Sequence, residues 1–122
     1  MNEIELIAAP VAHLGESYRK AAAERANAVA VGRHRVANRN YDLIVSIARE
    51  LRSRGRDGEC ALEQMLEHES LEVRVWAAFH CLPFAATAAE QVLKEAAEGP
   101  PSPTRLEAEM TLSEWKAGRL HP

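Results

Sequence analysis

Apolar residues recur at helical spacing along almost the whole chain. Val11, Leu14, Tyr18, Ala21, Ala22, Ala28 and Val29 lie three and four residues apart with few slips, which places one apolar face on a helix. Pro10 suits the first turn of that helix, where a missing N–H costs nothing, and Gly32 ends it near Val31. Residues 2–8 read as a short lead-in turn. A second helix runs from about Arg33 to Arg54, with Val36, Leu43, Ile44, Ile47 and Leu51 as its buried stripe, and Gly55 and Gly58 bracket the next turn. A short helix over about Glu59–His68 buries Leu62, Met65 and Leu66. Ser70 then stands as the N-cap of a helix holding Val73, Ala77, Cys81 and Leu82, which stops at Pro83. A fifth helix, about Ala86–Glu98, buries Ala89, Val92, Leu93 and Ala96. The run Gly99-Pro100-Pro101-Ser102-Pro103 is the strongest break in the chain. Ser102 or Thr104 caps the last helix, which is expected to bury Leu106, Met110 and Leu112 or Trp115 and to end at Gly118.

These elements predict an all-α fold of about six helices in antiparallel pairs, because the turns between them are short. Composition agrees: the sequence has 22 Ala against 15 Val, Ile and Thr together, and only 5% aromatic residues. A shift of 31 residues puts Leu62 on Leu93, Leu66 on Ala97, Arg74 on Arg105, Ala77 on Ala108 and Cys81 on Leu112. Two-helix repeats of such a period stack into α-solenoids. The expected organisation is a lead-in segment over residues 1–9 and a single helical-repeat domain over 10–122.

The stretch Ser70-Leu71-Glu72-Val73-Arg74-Val75-Trp76-Ala77-Ala78 looks like the second helix of a HEAT repeat, with a polar cap, then Val-Arg, then small residues that let helices approach closely. Further pieces point to one family: Ala37-Asn38-Arg39-Asn40-Tyr41-Asp42, Glu50-Leu51-Arg52 with Gly55, Leu66, His68, Leu82, Ala89, Leu93, Leu112, Trp115 and Gly118. Over about Leu14–Pro122 the chain resembles the small bacterial domain-of-unknown-function family numbered two-thousand-and-nineteen. The resemblance implies a HEAT-like α-α superhelix and implies no activity. One departure is that the family often opens its fifth helix with Pro, where Ala86 stands here, while Pro83 comes earlier.

Charge changes the picture more than its net value of −3 suggests. Residues 1–56 carry +4 and residues 57–122 carry −7; seven Arg lie between Arg33 and Arg56, and six acids without a base lie between Asp57 and Glu72. These stretches either neutralise each other or leave a basic patch open to an acidic partner. Two cysteines, Cys60 and Cys81, are too few for a disulfide framework. The acidic start Met1-Asn2-Glu3-Ile4-Glu5 is unlike a signal peptide, and no apolar run approaches the roughly 18–20 residues that span a bilayer. The expectation is a cytoplasmic protein with reduced thiols and no membrane segment.

No phosphate loop, metal motif, nucleophile elbow or Ca²⁺ loop is present, so no catalytic, cofactor-binding or metal-binding residue is assigned and the chain is read as a non-enzyme. His80 and Cys81 point to different helix faces, and His68 is read as a favourable charge at the end of the third helix. In two-helix repeats the second helix of each pair lines the concave side. Its non-core positions here are Arg35, Asn38, Arg39, Asp42, Arg49, Arg74 and Arg105, the candidate partner-binding residues. A structural reading competes for some of them: Asp42 accepts from Arg74, and Arg105 makes a similar inter-repeat pair. The leading function is a non-catalytic protein-interaction module, in its narrower form an immunity-type or regulatory protein that masks an acidic partner through a concave basic face. The alternatives are a nucleic-acid-binding repeat domain using the Arg-rich second helix, which the net negative charge and the lack of nearby aromatics disfavour, and an uncharacterised enzyme.

Overall fold

Seven α-helices and one 3₁₀ turn, with no strand, make up the computed structural model, which describes residues 1–122. They are α1 (Glu3–Ala8), α2 (Val11–Ala30), α3 (His34–Ser53), α4 (Arg56–Gln64), the 3₁₀ turn Met65–Glu67, α5 (Leu71–Cys81), α6 (Ala86–Ala97) and α7 (Pro103–Lys116). All six expected helices are present. The additional one is α1, where a turn was predicted. Asn2 accepts from the Glu5 N–H at 2.9 Å while the Glu5 carboxylate accepts from the Asn2 N–H, a capping box that starts the helix. The residues fall into two compact units, Met1–Leu62 and Glu63–Pro122.

In the first unit α2 and α3 pack as an antiparallel pair. The reversal is made at Gly32, whose φ of 75° lets the Arg33 N–H reach the Ala28 carbonyl at 2.8 Å and its own N–H reach Val29, which closes α2 in a Schellman motif. The core of the unit is Leu14, Tyr18, Ala21 and Ala22 of α2 against Ile44, Ile47, Ala48 and Leu51 of α3, all essentially inaccessible. Both helices mix small alanines with large side chains on the packed face, which lets them pack closely. Val29, expected in this stripe, is exposed; it lies in the last turn of α2, beyond the packed stretch. Gly58 does not stand in a turn. It is a buried residue inside α4, and a Cβ there would lie 1.7 Å from the Leu51 carbonyl oxygen, so only glycine lets α4 start against the end of α3.

In the second unit α5 packs on α6, and α6 on α7. Ser70 caps α5 by accepting from the Val73 N–H, and Ser102 caps α7 by accepting from the Arg105 N–H, with Pro103 at the first helical position. Met65, Leu66, Val73, Val75, Ala77, Ala78, Cys81, Leu82, Ala89, Leu93 and Ala96 form the core. The expected face of α7 is corrected at Leu106 and Met110. Leu106 and Met110 are 56% and 58% exposed, while Ala108 is the buried residue and Leu112 and Trp115 are half-buried. Apolar residues stand on both sides of α7, and the small Ala108 permits the closest approach to α6, which decides which side packs.

Candidate functional site

Helix α3 carries the candidate surface. At 100° per residue, Arg35, Arg39, Asp42, Ser46, Arg49 and Ser53 lie within about 80° of arc, a stripe about 27 Å long opposite the buried Ile44, Ile47 and Leu51. Asn38 flanks it. Arg35, Asn38, Arg39, Asp42 and Arg49 are exposed, and no ion pair or hydrogen bond engages any of their side chains. The two stretches of opposite charge therefore do not neutralise each other at these positions. Past the end of the stripe, Arg54 pairs with Glu50 at 2.7 Å and Arg56 with Glu59 at 3.4 Å.

Two grooves open beside the stripe, both within the first unit. One, about 440 Å³, is lined by Met1, Glu3, Leu6 and Ile7 on one side and Ser46, Arg49, Glu50 and Ser53 on the other. The second, about 630 Å³, is lined by Met1, Glu24, Arg39, Asn40, Asp42, Leu43 and Ser46. Sequence reasoning missed Ser46 and Glu24. Ser46 follows Asp42 by four residues and precedes Arg49 by three, so helical spacing alone places it in the row. Asn40 is buried at the edge of this second groove, and its amide donates to the Val36 carbonyl at 3.1 Å.

Arg74 and Arg105 belong to the second unit, and each does a different task from the one expected. Arg74 does not pair with Asp42 or another acid. Its Nη1 donates to the carbonyls of His68 and Glu69 at 2.7 and 2.9 Å. Arg105 Nη1 donates to the Gly99 carbonyl at 3.0 Å, and its Nε to Glu109 within the same helix at 2.9 Å. Both arginines reach back six residues to tie the preceding loop to the helix start, so the 31-residue internal repeat holds at the level of single hydrogen bonds. The physical reason is local: the fork of the guanidinium satisfies loop carbonyls that no backbone N–H reaches. His68 follows the 3₁₀ turn, where its Nδ1 accepts from the Ser70 N–H at 3.0 Å.

His80 is buried, stacked on Trp76 with ring centroids 5.8 Å apart and meeting Phe79 edge-on at 5.0 Å. Cys81 beside it is a buried core thiol. No group of three His, Cys, Asp or Glu side chains is placed to hold a metal ion, and no helix is long and apolar enough to cross a membrane.

Fold and site together define an all-α protein of short antiparallel helix pairs with a polar stripe exposed on its third helix. A family model described as "Domain of unknown function (DUF2019)" matches residues 13–115, and the chain belongs to that family. The crystal structure of the protein RPA1889 from Rhodopseudomonas palustris CGA009 is similar, with 26% identity and a TM-score of 0.89 over 96% of this chain and 97% of that one. No curated protein matches.

Proposed function

We propose that this protein is a non-catalytic protein-interaction module that binds an acidic partner surface through the stripe on α3. The observation behind the reading is that Arg35, Arg39 and Arg49 lie in one row, exposed and unengaged. Unpaired cations in a row raise the rate at which an acidic surface is found and fix its register, while the interleaved Asp42 and Ser46 supply specificity. In its narrower form the module masks one partner, as an immunity-type or regulatory protein does, on a HEAT-like scaffold in the cytoplasm. The two free thiols, Cys60 and Cys81, fit a reducing compartment. Asp42 within the row speaks against a continuous phosphate track.

The test is a double charge reversal, Arg35→Glu with Arg39→Glu, with capture of protein from a cell lysate compared at low and moderate salt. The native chain should retain a partner in a salt-sensitive way and the variant should lose it. Capture unchanged at both salt concentrations rejects the basic stripe as the interface. Steeply salt-dependent binding of a generic DNA duplex, abolished by the same reversal, would turn the reading to nucleic acid.

A further inference from the structure

The chain's own amino-terminal helix already sits on the carboxyl-terminal half of the stripe, and the way it is held says what fits there. Helix α1 has no buried residue; Ile4 and Ile7 are 79% and 64% exposed, and Leu6 is the one side chain of the helix that is half-buried. Its six residues are far fewer than the roughly 12–15 that an isolated helix needs in water, so docking keeps it helical. The main hold is Arg54. Its Nε is pinned to Glu50 at 2.7 Å, and its Nη2 donates to the carbonyls of Leu6 and Ile7 at 3.0 and 3.1 Å. Those oxygens are unsatisfied acceptors at the end of any helix, so Arg54 recognises a helix terminus regardless of its side chains. Glu3 lines the same groove as Arg49. Past Met1 and Ser46 the larger groove continues toward Arg39, and α1 leaves that part open.

We infer that the face of α3 on which α1 sits, from Ser46 to Arg54, is a docking site for a short acidic amphipathic helix of the partner, and that α1 is a displaceable occupant holding its place. The inference rests on the reading of α3 as the interaction surface. Arg54 takes the carbonyls at the end of the incoming helix and Arg49 faces its acids. Because α1 is tethered, it competes at a local concentration in the millimolar range, and a partner helix must exceed it by the contacts that α1 does not make.

The experiment uses the full chain carrying Leu6→Asp, which releases α1, and as probe a synthetic amidated peptide with the sequence of residues 1–9. Binding is read by ¹H–¹⁵N chemical-shift titration. A second variant, Asn2→Gly, removes the capping box at an exposed position and keeps the test intact if Leu6→Asp does not fold. The peptide should shift Ser46, Arg49 and Ser53 in the released variant at a concentration about tenfold or more below that needed with the native chain. Adding Arg54→Ala to the released variant should abolish the binding. Equal binding to native and released chains, no binding to either, or binding indifferent to Arg54→Ala overturns the inference. Failure here with partner capture still sensitive to Arg35→Glu and Arg39→Glu removes the arm and leaves the surface. Peptide binding as expected with capture indifferent to that reversal removes the proposed partner surface instead.

Discussion

Gly58 shows how one residue can set a helix junction. In an exposed helix interior, Gly→Ala is stabilising by about 1 kcal/mol, because alanine is the better helix former. Here the added methyl would overlap the Leu51 carbonyl, which is backbone and cannot rotate away. Gly58→Ala should therefore be destabilising, by about 3 kcal/mol, and a shift of the denaturant midpoint to lower concentration checks the sign. A second residue-scale case is Glu114, held below the ordinary glutamate range first by its hydrogen bond from Arg119 and then by that residue's charge. The sign follows from the direction: the pair's contribution is present above the ordinary glutamate range and lost as pH falls through the lowered value of Glu114. Arg119→Gln should return the Glu114 carboxyl titration to the ordinary range, and an unmoved NMR midpoint would show that the pair has no hold on it.

Among the elements, α2, α3 and α6 were legible because each has one dominant apolar face, and α5, which is buried nearly all round, because Ser70 caps its start; Gly32, Pro83 and the Gly99–Pro103 run mark the ends. The two elements at the ends of the fold were less so. Helix α1 is six residues long and buries nothing; its capping box was present in Asn2 and Glu5, but so short a segment carries no periodicity. On α7 Leu106 and Met110 face solvent, while the small Ala108, with Leu112 and Trp115 half-buried, marks the packed side. The consequence is measurable. Leu106→Gln with Met110→Gln should change stability by no more than about 0.5 kcal/mol, as at other exposed positions. Ala108→Leu, on the buried side, should cost about 1–3 kcal/mol by overpacking. Thermal unfolding of the two variants side by side separates the faces; equal losses would put Leu106 and Met110 back in a core.

For the whole molecule, the arginines divide into two sets that composition cannot separate. The sequence placed Arg35, Arg39, Arg49, Arg74 and Arg105 together as candidates, since each is a non-core position on the second helix of a pair. What it could not supply was the loop carbonyls, because main-chain acceptors leave no mark on residue identity. The structure engages Arg74 and Arg105 with loop carbonyls and leaves Arg35, Arg39 and Arg49 open. The two sets should respond oppositely. Arg74→Gln and Arg105→Gln leave the half-buried His68 and Gly99 carbonyls short of a donor, and each should cost about 1–2 kcal/mol of stability with little effect on partner association. Arg35→Gln, Arg39→Gln and Arg49→Gln together remove no bond of the fold, so stability should stay within about 0.5 kcal/mol. Their loss should slow association about tenfold or more at low salt, with the difference shrinking as salt screens the row. Stopped-flow association and denaturant titration on the same three variants measure both quantities. If the Arg74 and Arg105 variants slow association as much as the α3 set while keeping full stability, the arginines of the second unit belong to the interface and the assignment to α3 alone fails.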